Sequence, residues 1–215
     1  MLQILKAKTS RINNRINLVF SDNSYLPLFI DDYLKLSLNK GQDIDQETYN
    51  LIAQKSLMYL AREYALRQIA ISPKSKKNLS QKLNIFLIRT VKKFNLKDFS
   101  FKNIIEEIIG DLESRKLLNS DDFADYFIKK NSHKSSRQIL NLLSQQGIKI
   151  NPNQLKENML NNDLDLIKKY LNKKKINPED LSDFKYRQKI IARLYQQSFD
   201  LNDIRKIIDA YSKLK

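Results

Sequence analysis

The chain has 215 residues, room for one ordinary domain or two small ones. Its 39 Lys and Arg against 24 Asp and Glu leave a formal charge of +15 with a single His. With no Cys the sequence has no disulfide, thiolate nucleophile or Cys-ligated metal centre, and three Gly and one His leave neither a Gly-rich phosphate loop nor a two-His metal site.

In chain order, residues 1–50 read as a small β or mixed segment. Ile12, Ile16, Leu18 and Phe20 lie at even spacing, and Asn13-Asn14 and Ser21-Asp22-Asn23-Ser24 carry turn chemistry. These predict a hairpin or short sheet around residues 3–29. Tyr33, Leu34, Leu36 and Leu38 predict a short helix, closed by a turn at Lys40-Gly41-Gln42 in which Gly41 takes positive φ at no steric cost.

From about Asp45 the pattern is helical. Leu51, Ile52, Leu57, Leu60, Ala61, Tyr64, Ala65 and Ile69 fit a 3.6-residue period between Tyr49 and Ile71, and Pro73 stops it. Ser75 is a suitable N-cap for a second helix that stacks Leu79, Leu83, Phe86, Val91 and Phe94 on one side. Asn151 before Pro152 and Asn177 before Pro178 mark further helix starts. Met1 to Lys8 alternates apolar with polar and lacks the apolar stretch of a secretory leader. The strongest apolar run, Ile85-Phe86-Leu87-Ile88, ends at Arg89, far short of a bilayer span. The expectation is a soluble cytoplasmic protein with no membrane partner.

Internal repetition is the most informative feature. At a constant shift of 51, Ile139, Leu140, Leu143, Gln145, Gln146, Ile148 and Ile150 fall on Ile190, Ile191, Leu194, Gln196, Gln197, Phe199 and Leu201. At a shift of 100, Phe99, Phe101, Ile104 and Ile108 fall on Phe199, Leu201, Ile204 and Ile208. Leu155 and Met159 match Ile204 and Ile208 across a short insertion near Asn151. The fold class expected is mainly α, a tandem array of three three-helix repeats (51–117, 118–161 and 162–215) behind the N-terminal segment 1–50. Such units bury open faces by stacking on neighbours, which predicts an elongated, curved array.

The motifs then resemble a known family. They are Lys40-Gly41-Gln42 with Asp43 and Asp45, and Ala65-Leu66-Arg67 leading to Pro73-Lys74-Ser75-Lys76-Lys77-Asn78-Leu79. Leu117-Leu118-Asn119-Ser120-Asp121-Asp122-Phe123-Ala124, Gln145-Gln146-Gly147-Ile148 and Ser198-Phe199 follow in order. The set resembles RecX, the bacterial regulatory proteins that restrain the RecA recombinase. Lys76, Lys77 and Asn78 stand where the family usually has an acid, and the stretch from Ser75 to Asp98 is longer than usual. Ser198 and Asp98 stand where glycines are expected, in turns where left-handed geometry is costly without Gly. The resemblance implies a regulator without catalysis or cofactor, and nothing in the sequence demands more than a monomer. It would lie along the groove of the RecA–single-stranded-DNA filament and inhibit recombinase and coprotease activity in DNA repair and the SOS response. The alternative is a basic helical-repeat protein that binds single- or double-stranded nucleic acid without a recombinase partner. An enzyme built on helix-borne carboxylates is a third reading, of which the spacing gives no sign.

Candidate contact residues come from charge density. Residues 61–100 hold ten Lys or Arg against Glu63 and Asp98. Lys74, Lys76, Lys77, Lys82, Arg89, Lys92, Lys93 and Lys97 form the first basic group, with Lys82, Arg89 and Lys93 on a common helical face. Lys185, Arg187, Lys189 and Arg193 form a second, flanked by Tyr186 and Tyr195, which suit stacking on single-stranded bases. Phosphates of a nucleic acid and an acidic protein surface both fit such groups. Asp121, Asp122 and Asp125 read as acids at a helix start rather than metal ligands. Glu106-Glu107 and Asp111 with Glu113 read as a solvated face, and His133 as a surface residue in a polar turn.

Overall fold

A computed structural model describes residues 2–10, 14–94, 96, 100–151, 155, 159 and 162–213. Ile12, Asn13, Asp98, Phe99 and Pro152, on which parts of the sequence reading rest, lie outside the described residues. The chain divides into two compact units, Met1–Asn119 and Ser120–Lys215.

The first unit opens with β1 (Leu2–Ser10), β2 (Arg15–Phe20) and β3 (Tyr25–Phe29), an antiparallel meander. β4 (Asp43–Ile44) adds to the far side of β1, giving the order β3-β2-β1-β4. The expected hairpin is thus a four-stranded sheet. Ile16, Leu18 and Phe20 alternate into its buried face. A bulge at Leu5 lets Ile4 and Ala7 both face inward although they are three positions apart. Pro27 lies in β3, an edge strand where no ladder partner is denied. α1 (Ile30–Lys35) and a left-handed Gly41 (φ 85°) lead into β4, as the sequence predicts.

α2 (Gln46–Ile71) starts at Asp45, whose carboxylate accepts from the Thr48 N–H at 2.7 Å. It covers the sheet through Tyr49 against Phe20 and Tyr59 stacked on Phe29. Ala53, Ser56, Ala61 and Ala65 are fully buried, and their small side chains allow close approach of the neighbouring elements. α3 (Lys76–Lys93) is capped by Ser75 as expected, and α4 (Lys102–Ser114) completes the unit. α3 buries Leu79, Leu83 and Leu87, with Phe94 edge-on to Tyr25.

The second unit holds α5 (Ser120–Lys130), α6 (Ser136–Gln145), α7 (Asp163–Lys173), α8 (Phe184–Gln196) and α9 (Leu201–Tyr211). Ile139, Leu143, Ile148 and Leu155 sit in one apolar cluster, and Ile190, Leu194, Phe199, Ile204 and Ile208 in another. Ser135 caps α6 and donates its hydroxyl to the Gln197 carbonyl at the end of α8. Asn177 and Pro178 open a helix, as the sequence predicts, but a short one ahead of α8: Pro178–Ser182 is a single 3-10 turn without a side-chain cap. α8 begins at Phe184 because Asp183 accepts from the Lys185 and Tyr186 N–H groups.

Helices α4, α6, α7 and α8 end in one geometry, as α1 does at Ser37 and Leu38. Lys116, Gly147, Lys175 and Ser198 all have positive φ. The N–H groups of Leu117, Ile148, Ile176 and Phe199 donate back to the carbonyls of Leu112, Leu143, Leu171 and Leu194. This satisfies carbonyls that a helix end would otherwise leave open, and turns Ile148, Ile176 and Phe199 into the cores.

Candidate polyanion-binding surfaces

The first basic surface is the outer side of α3, and tertiary contacts sort its cations. Lys76 pairs with Glu113 at 3.0 Å, and Arg62 lies 3.8 Å from Asp111, so α4 supplies acids that the local sequence lacks. Lys82 is half-buried and donates to Gln68 of α2. Lys74 is also half-buried, donating to the Ser72 carbonyl. Lys93 lies over the rings of Tyr25 and Phe94, and Lys77 is exposed. Lys97 lies outside the described residues. Arg89 and Lys92 are exposed, with no carboxylate partner among the described residues, and Ile85 and Ile88 are exposed between the charges. The predicted face of Lys82, Arg89 and Lys93 therefore presents chiefly Arg89 to solvent as an unengaged charge.

The second surface lies on α8. Lys185, Lys189 and Arg193 are exposed and recur every four residues, on one face of the helix. Arg187 turns away and pairs with Asp209 of α9. Tyr195 is well exposed, whereas Tyr186 packs partly on the core. At the C-terminal ends of α7 and α8 a depression of about 360 Å³ is lined by Tyr170, Lys174, Arg193, Gln196 and Gln197. Only Arg193 of these stands out in the sequence as a candidate contact. The run Lys173-Lys174-Lys175 is a signal for the place, while Tyr170 is half-buried, packing partly on the core and lining the depression with the rest of its ring.

Asp121 and Asp122 occupy the first turn of α5, and His133 is exposed in the turn before α6. Among the described residues no group of three His, Cys, Asp or Glu is arranged to hold a metal. No described helix is long and apolar enough to cross a membrane.

The regulatory protein RecX of Clostridioides difficile (strain 630) is 25% identical over 206 residues, covering 93% of this chain and 90% of the relative. A crystal structure of regulatory protein RecX superposes with a TM-score of 0.58 at 16% identity, over 97% of this chain and 100% of that one. The chain resembles RecX in sequence and in fold. RecX from Lactobacillus salivarius superposes at a TM-score of 0.50 and 19% identity, over 72% of this chain and 96% of that one. No family model matches the chain. The solved RecX structures carry the fold, a mainly helical chain behind an N-terminal strand segment. The motifs that carry the RecX resemblance fall at structural joints. Gly41 and Gly147 take positive φ, Ser75 caps α3, and Leu117 and Leu118 close α4.

Proposed function

We propose that this chain is a regulatory protein of the RecX type, which binds the RecA–single-stranded-DNA filament and restrains strand exchange and coprotease activity in DNA repair and the SOS response. It acts in the cytoplasm by binding, without bond chemistry. The observation that carries this is the RecX likeness over 93% of the chain. The exposed cations Arg89 and Lys92 on α3, and Lys185, Lys189 and Arg193 on α8, supply the physical means. They steer the protein toward an anionic partner and fix its register there.

In this reading, segments 51–117, 118–161 and 162–215 are three copies of a three-helix unit that each contact the filament, so that weak contacts add through multivalency. Gly147 and Ser198, related by the 51-residue shift, both take positive φ ahead of a buried apolar residue, which supports a common ancestry of those turns.

The test is a filament assay. RecA from the same source is assembled on single-stranded DNA, and its ATPase and strand exchange are followed while this protein is titrated in below stoichiometric amounts. Inhibition is expected. No inhibition removes the proposal; DNA binding without inhibition would favour the nucleic-acid-binding alternative.

A further inference from the structure

We infer that the depression at the ends of α7 and α8 is a subsite for one nucleotide of a single-stranded nucleic acid, with the base against Tyr170 and the phosphate between Lys174 and Arg193. Tyr170 and Lys174 lie one turn apart on α7, and Arg193, Gln196 and Gln197 share a face at the end of α8. Neither Lys174 nor Arg193 has a carboxylate partner among the described residues. The two cations call for an anion. Yet Lys174 and Gln197 are the C-caps of their helices, so the same place receives the negative ends of two helix dipoles.

A bare carboxylate or phosphate is attracted by the side chains and opposed by the helix ends. A nucleotide answers both, because its phosphate meets Lys174 and Arg193 while its base offers N–H donors as well as acceptors. The Gln196 and Gln197 amides, each donor and acceptor, suit a base edge. An aromatic ring beside cations is the recurring arrangement for an unpaired base.

Two further features narrow the ligand. Lys189 and Lys185 continue from Arg193 at four-residue intervals, about 6 Å apart along the axis. That spacing is close to the separation of successive phosphates in an extended strand, so the occupant is a polymer rather than a free mononucleotide. A base lodged against Tyr170 is out of its stack, so the strand is single. The inference stands on this unit alone and does not depend on a recombinase partner.

The sequence contains no Trp, so Tyr170→Trp places a single indole reporter in the depression. The full chain is titrated with a mixed-sequence single-stranded oligonucleotide, its duplex and inorganic polyphosphate. The single strand should change the indole emission and polyphosphate should not. Tyr170→Leu, which keeps apolar volume, should weaken single-strand binding at least ~5-fold with an unchanged salt slope. Lys174→Gln and Arg193→Gln should each flatten that slope by ~0.7. Circular dichroism melting shows that each variant folds; were Tyr170→Leu unfolded, the indole signal and the two cation variants decide alone. Unchanged single-strand affinity in folded Tyr170→Leu, or an equal indole response to polyphosphate, would overturn the subsite. Loss of filament inhibition with this binding intact would instead strike the RecA reading.

Discussion

Ser198 holds φ 66° at the end of α8, where Gly147 holds φ 80° at the end of α6. A Cβ in the left-handed region is crowded by the neighbouring carbonyl, so Ser198→Gly should raise stability by about 1 kcal/mol in urea unfolding. Gly147→Ala should lower it by a similar amount, about 1 kcal/mol, and the cost will be purely backbone because an added Cβ meets nothing within 4 Å. Asp45 adds a pH-dependent contribution. The Thr48 N–H that its carboxylate accepts from is the main cause holding its pKa below the ordinary 3.8. The stabilisation is therefore complete above the unfolded value and fades as pH falls through the folded one. Melting curves should show Asp45→Ala less stable than the parent at pH 7, the gap closing below pH 3.8. Asp45→Asn, which caps without a charge, should start from a smaller gap at pH 7, and its difference from the parent should shift with pH by the same amount, because both variants remove the same titrating carboxylate.

At the scale of elements, caps decide where helices begin. Ser135 accepts from the Gln138 N–H and also donates to the Gln197 carbonyl, 62 residues away, so one buried hydroxyl joins the start of α6 to the end of α8. Ser135→Ala should cost about 2 kcal/mol in chemical denaturation, more than an ordinary cap, because it strands both partners. Asn177→Ala should be near neutral, since Asn177 makes no side-chain cap. The helix opened at Pro178 stays a single 3-10 turn for the same reason. Proline presets one residue, but Leu181 is drawn fully into the core, and Asp183 then offers its carboxylate to two free N–H groups. Most other elements were legible. Ser75, the period along α2 and the turn at Gly41 are local signals read by near neighbours. The bulge at Leu5 and strand β4 were not, because a two-residue strand exists only where β1 offers it an edge.

For the whole molecule, the charge of +15 makes affinity for a polyanion fall steeply with salt. Reversing Arg89 and Lys92 to Glu should weaken filament inhibition at least ~10-fold. The same reversal at Lys76 should do less and should also cost stability, because it sets two acids together at Glu113. Both are read from ATPase titrations alongside thermal melts.

The sequence by itself determined the helical class, the apolar positions along the helices, the Ser75 cap and the basic character. Each of these is settled by residues a turn or two apart, or by composition. Tertiary structure decided which cations remain available. Lys76 meets Glu113, Lys82 meets Gln68 and Arg187 meets Asp209 only after distant helices pack. It also brought Tyr170 beside Arg193, a pairing no periodicity announces. The physical reason is reach. Backbone preference and helical period act within a few residues, whereas a charge is neutralised, or a pocket lined, by whatever the folded chain carries to within a few ångströms.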